Sequence, residues 1–301
     1  MIIMKSDINE LKSVISTNFP EVKIRDFSLL EKGKFYYACL VNQNIVFKIP
    51  TGVETEWMNN PEREIEALNF LRGKMSIPIP EILAHKVLEN GHHIIGQTFL
   101  HGEKYSEKLH NSLPLDAQAD IMRQMGRVIR EVHDKGDATY PNARKDTWDG
   151  HVKLFQDQWN EKAKAVFSKA EIGVIEKIAA TFEKLSADFP ARLVRVHYDT
   201  HYGNWMFDSA TRKIVGLFDF GGTKFAEPSS DMRMYYGGNA ENLLKGYGDN
   251  GDAYLPQRQI FQSLSNWMGA VLNPEEWRGI TDKDGMDIIK TICESYTVNF
   301  L

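Results

Sequence analysis

The segment His197–Trp205 carries polar residues at a spacing that suits phosphoryl transfer. His197, Asp199 and Asn204 form an H-x-D-x-x-x-x-N pattern, and a D-F-G triplet begins fifteen residues later at Asp219. This chemistry needs little covalent help from a protein, but it needs an acceptor hydroxyl held in line and charge neutralised on the phosphates. The pattern therefore predicts that Asp199 orients a hydroxyl and takes its proton.

The same segment offers oxygen ligands for a divalent cation. Asn204 and Asp219 supply an amide oxygen and a carboxylate, and Asp219 follows the apolar run 214–217. Mg²⁺ takes few protein oxygens and completes its shell with phosphates and water. The two residues are thus candidate Mg²⁺ ligands. The alternative is that both merely cap turns.

A lysine in the N-terminal third is the candidate phosphate ligand. Lys48 stands in the apolar segment 45–49, and a buried ammonium needs a partner. Glu64, on the predicted helix that follows, is the natural carboxylate, although Glu62 or Glu66 could replace it. The pair would position the α- and β-phosphates of a nucleotide. Taken alone, Lys48 would also suit an edge strand.

A turn at Gly33 and Lys34 is the candidate cover for the phosphates. The segment 29–38 contains one glycine and lacks a G-x-G-x-x-G pattern. Its backbone N–H groups, helped by Lys34, could still lie over a nucleotide. By itself this segment indicates only a turn.

The periodicity of apolar residues divides the chain into a β-rich and a helical part. Alternating patterns predict strands and three- to four-residue spacings predict helices. The first three strands should form an antiparallel meander. The predicted strands are 24–30, 36–41, 45–49, 81–88 and 93–100, with a strand-and-loop block at 193–220; the predicted helices are 7–18, 61–71, 115–133 and 159–189, the last broken near Gly173, with further helices from 231. This layout predicts an α+β fold with an N-terminal lobe at 1–100, a hinge near 96–103 and a C-terminal lobe at 104–301.

Composition excludes several classes of protein. Of the 301 residues 42% are hydrophobic and 26% charged, which excludes collagenous and disordered chains. No apolar run is long enough for a transmembrane helix, the N-terminus has no signal-peptide pattern, and two cysteines make no disulfide framework. We therefore expect a cytoplasmic protein that binds no membrane.

The distribution of charge suggests the kind of partner. The net charge is −5, and the segment 227–301 accounts for all of it. No basic patch is present, so we expect no nucleic acid partner. The acidic C-terminal quarter would suit a cationic substrate, or it forms solvated helix faces.

Taken together, these residues resemble the aminoglycoside phosphotransferase family of small-molecule kinases. The resemblance covers nearly the whole chain, and its catalytic block is the specific part. It is carried by Phe19-Pro20, the segments 41–50, 63–68, 77–80 and 126–133, the catalytic segment 197–204, Asp219-Phe220-Gly221 and the segment 227–231.

The resemblance implies a protein-kinase-like two-lobed fold, with a small antiparallel sheet and one key helix in the N-lobe and a larger, mainly helical C-lobe. It implies ATP or GTP as phosphate donor with Mg²⁺, and a small hydroxyl-bearing acceptor. It implies Asp199 as base, Lys48 with Glu64, Gly33 and Lys34 on the phosphates, and Asn204 and Asp219 on the metal. It also implies nucleobase contacts from the hinge backbone at Gln97, Thr98, Phe99 and Leu100, and a structural role for Asp231, which would accept backbone N–H groups of the catalytic loop. His197, and His201 beside it, are expected to support the loop rather than to act as acid or base.

Two departures from the family pattern stand out. Tyr198 fills a position where the family usually has glycine, which would narrow the acceptor pocket. The segment Phe35-Tyr36-Tyr37 lacks the small polar residues common in the phosphate loop, so the preference for ATP or GTP stays open.

The acceptor is open as well. An aminoglycoside, with a role in antibiotic resistance, fits the acidic side chains best, and a macrolide, an amino alcohol or a sugar is the alternative. The acidic candidates are Asp249, Asp252, Glu275, Glu276, Asp282, Asp284 and Asp287; Trp148, Trp159, Trp205 and Trp267 form core or line a pocket.

The sequence disfavours two other functions. A protein kinase is disfavoured because five residues separate Gly221 from Glu227, too few for an activation segment. A nucleotide-binding scaffold without catalysis is disfavoured because all four core polar residues are present. We expect a monomer.

Overall fold

The computed structural model describes residues 7–53, 60–135, 165–272 and 282–300. The chain forms two compact units. The first comprises the residues up to Tyr105 together with Asn204–Thr223, and the second comprises Ser106–Gly203 and Lys224 onward.

The first unit is built on a five-stranded antiparallel sheet. Its strands lie in the order β1-β2-β3-β5-β4, so the first three form the predicted meander. The elements are α1 (Ile8–Asn18), β1 (Phe27–Lys32), β2 (Tyr36–Val41), β3 (Ile45–Pro50), α2 (Pro61–Leu71), β4 (Ile82–Val87), β5 (His93–Thr98) and β6 (Glu103–Lys104), followed later in the chain by β8 (Trp205–Asp208) and β9 (Lys213–Leu217).

One face of this sheet holds the core of the first unit. Leu11 and Ile15 of α1 pack with Phe47, and the rings of Phe19 and Phe47 lie 5.2 Å apart. The alternation of β3 places Phe47 and Ile49 in this core and turns Lys48 to the opposite face.

The first strand begins three residues later than predicted because a side chain engages the preceding backbone. Asn42 Oδ1 accepts from the N–H groups of Arg25 and Asp26 at 2.8 and 3.2 Å, and its Nδ2 donates to the Lys23 carbonyl at 2.8 Å. These bonds hold 23–26 as a loop.

A second, three-stranded sheet explains why 204–223 belongs to the first unit. Its order is β6-β8-β9, and the Tyr105 N–H donates to the Trp205 carbonyl at 2.9 Å. The Leu217 N–H also donates to the Pro78 carbonyl at 3.3 Å. The sequence predicts this segment in the C-terminal lobe, whereas by its contacts it lies with the β-rich residues.

The second unit is mainly helical. Its elements are α3 (Glu107–Ser112), α4 (Leu115–Lys135), α5 (Lys169–Asp188), β7 (Val194–Val196), β10 (Lys224–Ala226), α6 (Gly237–Tyr247), α7 (Leu255–Leu272) and α8 (Asp282–Phe300). Glycines let α4 and α6 approach closely, since a Cβ at Gly126 would lie 2.1 Å from the Leu243 carbonyl.

Two predictions for the helical part were wrong. Helix α5 runs without a break through Gly173, because a capping box at Ser168 and Glu171 and a buried apolar face outweigh the cost of one glycine. Helices resume at Gly237 rather than at Asp231, which lies in a short 3₁₀ turn (Pro228–Met232). The predicted helical residues 159–164 and both Trp148 and Trp159 lie outside the described residues.

Within the ranges that the structure describes, no helix is long and apolar enough to cross a membrane.

Candidate active site

Lys48 lies at the centre of a buried ionic cluster in the first unit. Its register partners are Ala38 on β2 and Ile95 on β5, so it occupies a middle strand of the sheet. The ammonium bonds both carboxylate oxygens of Glu64, at 2.7 and 2.8 Å, and Asp219 Oδ1 at 2.7 Å. A strand, a helix and the D-F-G turn thus converge on one cation.

Burial shapes the electrostatics of this cluster. Burial alone would lower the pKa of Lys48, but the carboxylates of Asp219 and Glu64 outweigh it, so the pKa is raised and the lysine is cationic. Burial raises the pKa of Glu64 against the opposing attraction of Lys48. Of the three glutamates left open by the sequence, Glu64 makes the contact, while Glu62 lies 3.9 Å from His93.

Asp219 combines a strained backbone with a partly open side chain. It has φ 66° and ψ 58°, the left-handed conformation that residues other than glycine seldom adopt. The next residue, Phe220, is fully buried and anchors the turn, while the Asp219 side chain remains 27% exposed. One carboxylate edge can therefore meet a ligand.

The pairing of β8 with β9 brings the candidate metal ligands to adjacent strand ends. Trp205 pairs with Leu217, and the Phe218 N–H donates to the Asn204 carbonyl at 3.1 Å. Asn204 itself is 3% exposed. Within the described residues, no group of three or more His, Cys, Asp or Glu side chains is arranged to hold a metal ion.

The candidate phosphate loop is a tight hairpin turn. The Gly33 N–H donates to the Tyr36 carbonyl at 2.9 Å, and a Cβ at Gly33 would lie 3.0 Å from that oxygen. The Lys34 ammonium lies 5.3 Å from the Phe35 ring centroid.

Tyr36, which the sequence marks only as a departure from the family's phosphate loop, belongs to this region. Its ring centroid lies 5.8 Å from the Lys48 ammonium, and burial, with Glu64 nearby, raises the pKa of its hydroxyl to about 12. Tyr36 lies at the start of β2, on the same face of the sheet as Lys48. The alternation of side chains along β2 and β3 could have indicated this placement.

Part of the backbone of the candidate hinge forms hydrogen bonds with other residues of the protein. The N–H groups of Thr98 and Phe99 donate to the carbonyls of Glu81 at 2.9 Å and Asn44 at 2.8 Å. Gln97 lies two residues beyond Ile95, the register partner of Lys48, and so shares the face of the sheet that carries Lys48. Gln97 is 4% exposed, and in the described ranges its Oε1 has no hydrogen-bond partner. Leu100 packs against Gly216.

A buried carboxylate organises the catalytic segment in the second unit. Asp231 Oδ2 accepts from the His197 N–H at 2.8 Å and lies 2.9 Å from His133 Nε2, and Oδ1 accepts from the Tyr198 N–H at 2.5 Å. Burial would raise the pKa of Asp231, but the contacts with His133 and with His197 outweigh burial and lower it. The carboxylate thus holds two consecutive backbone groups before Asp199.

Asp199 presents its carboxylate to solvent from this braced segment. Its N–H donates to His197 Nδ1 at 3.2 Å, and its side chain is 32% exposed. His201 Nε2 lies 3.7 Å from Asp199 Oδ2, and His201 Nδ1 accepts from the Gly203 N–H at 3.0 Å. An accessible carboxylate on a fixed backbone is suited to orient a hydroxyl and accept a proton.

The structure therefore gathers the predicted residues in two groups. Lys48, Glu64 and Asp219 meet in the first unit with Asn204 nearby, and Asp199 lies with His197, His201 and Asp231 in the second. His133 was missed, because its contact with Asp231 joins positions 98 apart that no local pattern connects.

A family model described as the phosphotransferase enzyme family matches residues 36–259. The chain belongs to this family. It is a nucleotide-dependent kinase of the aminoglycoside phosphotransferase type, as the sequence resemblance implied, and the kinase-like α+β fold is confirmed. A search of curated proteins finds no match.

Solved structures share the fold at low sequence identity. A GDP complex of aminoglycoside 2'-phosphotransferase-IIIa aligns with a TM-score of 0.74 and 14% identity, covering 96% of this chain and 99% of that one. Spectinomycin phosphotransferase APH(9)-Ia, solved with ADP and spectinomycin, aligns with a TM-score of 0.64 and 17% identity, covering 96% and 97%. At such identities the likeness establishes the fold and leaves the substrate open.

Proposed function

We propose that this protein transfers the γ-phosphate of ATP or GTP, with Mg²⁺, to a hydroxyl of a small cationic molecule, and that an aminoglycoside antibiotic is the acceptor to test first. The observation that carries the proposal is the Lys48 ammonium held by Glu64 and Asp219. A buried lysine with two carboxylates adds little net stability, so stability alone does not account for the cluster, and a polyphosphate is the kind of ligand that its ammonium would bind.

The proposed reaction assigns each group a role. The acceptor oxygen bonds to the γ-phosphorus, the bond from that phosphorus to the β–γ bridging oxygen breaks, and the nucleoside diphosphate leaves. Asp199 orients the hydroxyl and takes its proton, while Asp231, His197 and His201 hold the segment. Lys48 and the turn at Gly33 and Lys34 bind phosphates, and residues 97–100 contact the nucleobase.

The donor chemistry at Asn204 and Asp219 fits Mg²⁺. A carboxylate and an amide oxygen are hard ligands, and the partly exposed edge of Asp219 leaves room for phosphate and water oxygens. When bound there, the ion would neutralise charge on the phosphates. A two-residue donor set is consistent with an ion that depends on its nucleotide.

A cavity of about 360 Å³ in the second unit supports a cationic acceptor. It is lined by Glu107, Tyr236, Trp267, Asp284 and Asp287, and the Tyr236 and Trp267 rings meet edge to face at 5.8 Å. Burial, with Glu107 and Asp284 nearby, raises the pKa of Tyr236. Carboxylates and aromatic faces together bind ammonium groups.

Tyr235, the residue before the cavity-lining Tyr236, contacts the catalytic segment. The hydroxyl of Tyr235 donates to the carbonyl of Thr200, the residue after Asp199. Of the other acidic candidates, Asp252 pairs with Arg258 at 2.8 Å, and Glu275, Glu276 and the Asp282 side chain lie outside the described residues.

The test is nucleoside diphosphate release with Mg²⁺, ATP or GTP, and a panel of aminoglycosides, macrolides, amino alcohols and sugars. We expect a phosphorylated product from one cationic class, seen by mass spectrometry as a gain of one phosphoryl group, and no turnover in Asp199→Ala. Turnover of neutral sugars alone would contradict the cationic acceptor, and equal turnover by Asp199→Ala would contradict the mechanism. Structurally similar proteins solved in complex with GDP or ADP support a nucleotide as the phosphate donor.

A further inference from the structure

Tyr198 has a backbone conformation that its side chain disfavours, directly beside Asp199. Its φ of 69° lies in the left-handed region, where the Cβ of an L-residue crowds the following carbonyl. Such strain persists only where the surrounding contacts fix the residue firmly. The contacts of this tyrosine therefore show what holds it.

Two cations lie over the Tyr198 ring. The Lys224 ammonium is 3.0 Å and the Arg233 guanidinium carbon 3.9 Å from the ring centroid. Both side chains are buried, each with 8% exposure, and Arg233 Nη1 donates to the Ser230 carbonyl at 2.9 Å. Cation–π contacts strengthen when water is excluded, so this arrangement resists rotation of the ring.

The ring and the backbone of Tyr198 are fixed together. Its N–H donates to Asp231 Oδ1 at 2.5 Å, and its side chain packs on Val194, Val196 and Ala226. The hydrogen bond at the N–H and the contacts of the ring anchor the residue at two points, which together restrain the backbone torsions at residue 198. Those torsions set the direction in which the Asp199 side chain projects from the backbone.

We propose that Tyr198 is a positioning residue, and that its clamp by Lys224 and Arg233 aims the Asp199 carboxylate at the acceptor hydroxyl. The inference rests on the proposed role of Asp199. The clamp does the work that a glycine would do by conformational freedom, since glycine adopts positive φ without strain. It fixes the angle as well, which a glycine would leave free.

The test compares Tyr198→Phe, Tyr198→Ala and Tyr198→Gly by steady-state kinetics and thermal melting. Phe keeps the ring, so we expect kcat to stay within about twofold of wild type. Ala loses the clamp and keeps the strain, and we expect kcat to fall by about tenfold with the nucleotide KM unchanged. Gly relieves the strain, so its kcat should exceed that of Ala.

A merely space-filling tyrosine predicts another ordering. It would let kcat follow the loss of melting temperature, with Gly no better than Ala, and that result would overturn the proposal. Arg212, another left-handed residue with φ 54°, stands in the turn joining β8 to β9, and its Ala and Gly variants are the matched control. We expect both to keep wild-type kcat.

A double-mutant cycle tests the clamp without relying on one variant. Lys224→Met should lower kcat, and Lys224→Met combined with Tyr198→Ala should be no worse than the more impaired single variant. Additive losses would overturn the proposal.

Basal nucleotide hydrolysis, with water in place of the acceptor, gives a second readout. If Asp199→Ala leaves turnover intact, the proposed function fails; if it abolishes turnover while Tyr198→Ala does not, only the clamp fails.

Discussion

The two groups of polar residues are held by different physical means. In the first unit, Lys48 joins side chain to side chain, and its ammonium balances the carboxylates of Glu64 and Asp219. In the second, Asp231 joins side chain to backbone, and its carboxylate gathers the N–H groups of His197 and Tyr198. The first arrangement places charge for a ligand, and the second fixes the path of the chain. Substitutions in the first group should therefore mainly weaken ligand binding, and substitutions in the second should mainly destabilise the fold.

The largest effect on the fold is expected at Asp231. Asp231→Asn replaces a buried carboxylate with an amide whose NH₂ faces N–H donors, so unfolding should become easier by about 3 kcal/mol or more, and kcat should fall with it. Chemical denaturation and steady-state kinetics measure both. A variant with wild-type stability and lost kcat would show that Asp231 acts in chemistry rather than in bracing.

At Lys48 the loss should fall on nucleotide binding. Lys48→Met leaves Glu64 and Asp219 without their cation, and we expect the nucleotide Kd to rise by about tenfold or more, with a lower melting temperature. Adding Glu64→Gln should restore much of the stability and none of the affinity, because it removes the buried charge and no phosphate ligand. Recovery of affinity in the double variant would contradict a direct phosphate role for Lys48. Calorimetry with each nucleotide and thermal melting separate the outcomes.

A smaller effect is expected at Gln97. Its buried Oε1, without a hydrogen-bond partner in the described residues, is a cost to the free protein that a nucleobase donor would relieve. Gln97→Leu should raise the melting temperature. It should also weaken the binding of one of the two nucleotides, ATP or GTP, by about tenfold and leave the other unchanged. Equal affinities for both nucleotides in the variant and the wild type would show that Gln97 does not read the base.

Stability should also depend on pH in the second unit. Burial, opposed by Arg258 and Ser229, raises the pKa of Glu227 from 4.5 to about 8. Since the folded state favours the protonated carboxyl, this group makes unfolding easier as pH rises from about 4.5 to about 8, with no further change above. Glu227→Gln should flatten that part of the profile, whereas the exposed control Glu21→Gln should not. An unchanged profile in Glu227→Gln would contradict the assignment.

Much of the fold follows from the sequence because its elements carry strong local signals. Helix α2 matches its predicted bounds, since Pro61 and Asn60 mark its start and Ile65, Leu68 and Leu71 its apolar side. Contacts that depend on tertiary packing were not predictable. The rotation of α2 selects Glu64 from three glutamates, and His133 reaches Asp231 across 98 positions.

The same distinction applies to the site. Spacing alone picks out Asp199, Asn204 and Asp219, because a single turn and a single strand end carry them. The cations at Lys224 and Arg233 lie in unremarkable sequence, and only the folded chain shows that both lie over Tyr198. The division into lobes at 1–100 and 104–301 stays a prediction, and the contacts place 204–223 with the first unit.

The most direct test of the division between the two groups pairs nucleotide affinity with turnover in Asp199→Ala and Asp219→Ala. We predict that Asp199→Ala abolishes phosphate transfer and keeps the wild-type Kd for the Mg²⁺–nucleotide complex, whereas Asp219→Ala weakens that Kd. If Asp199→Ala retains more than a few per cent of wild-type kcat, or if Asp219→Ala binds the Mg²⁺–nucleotide complex as tightly as wild type, the account is contradicted.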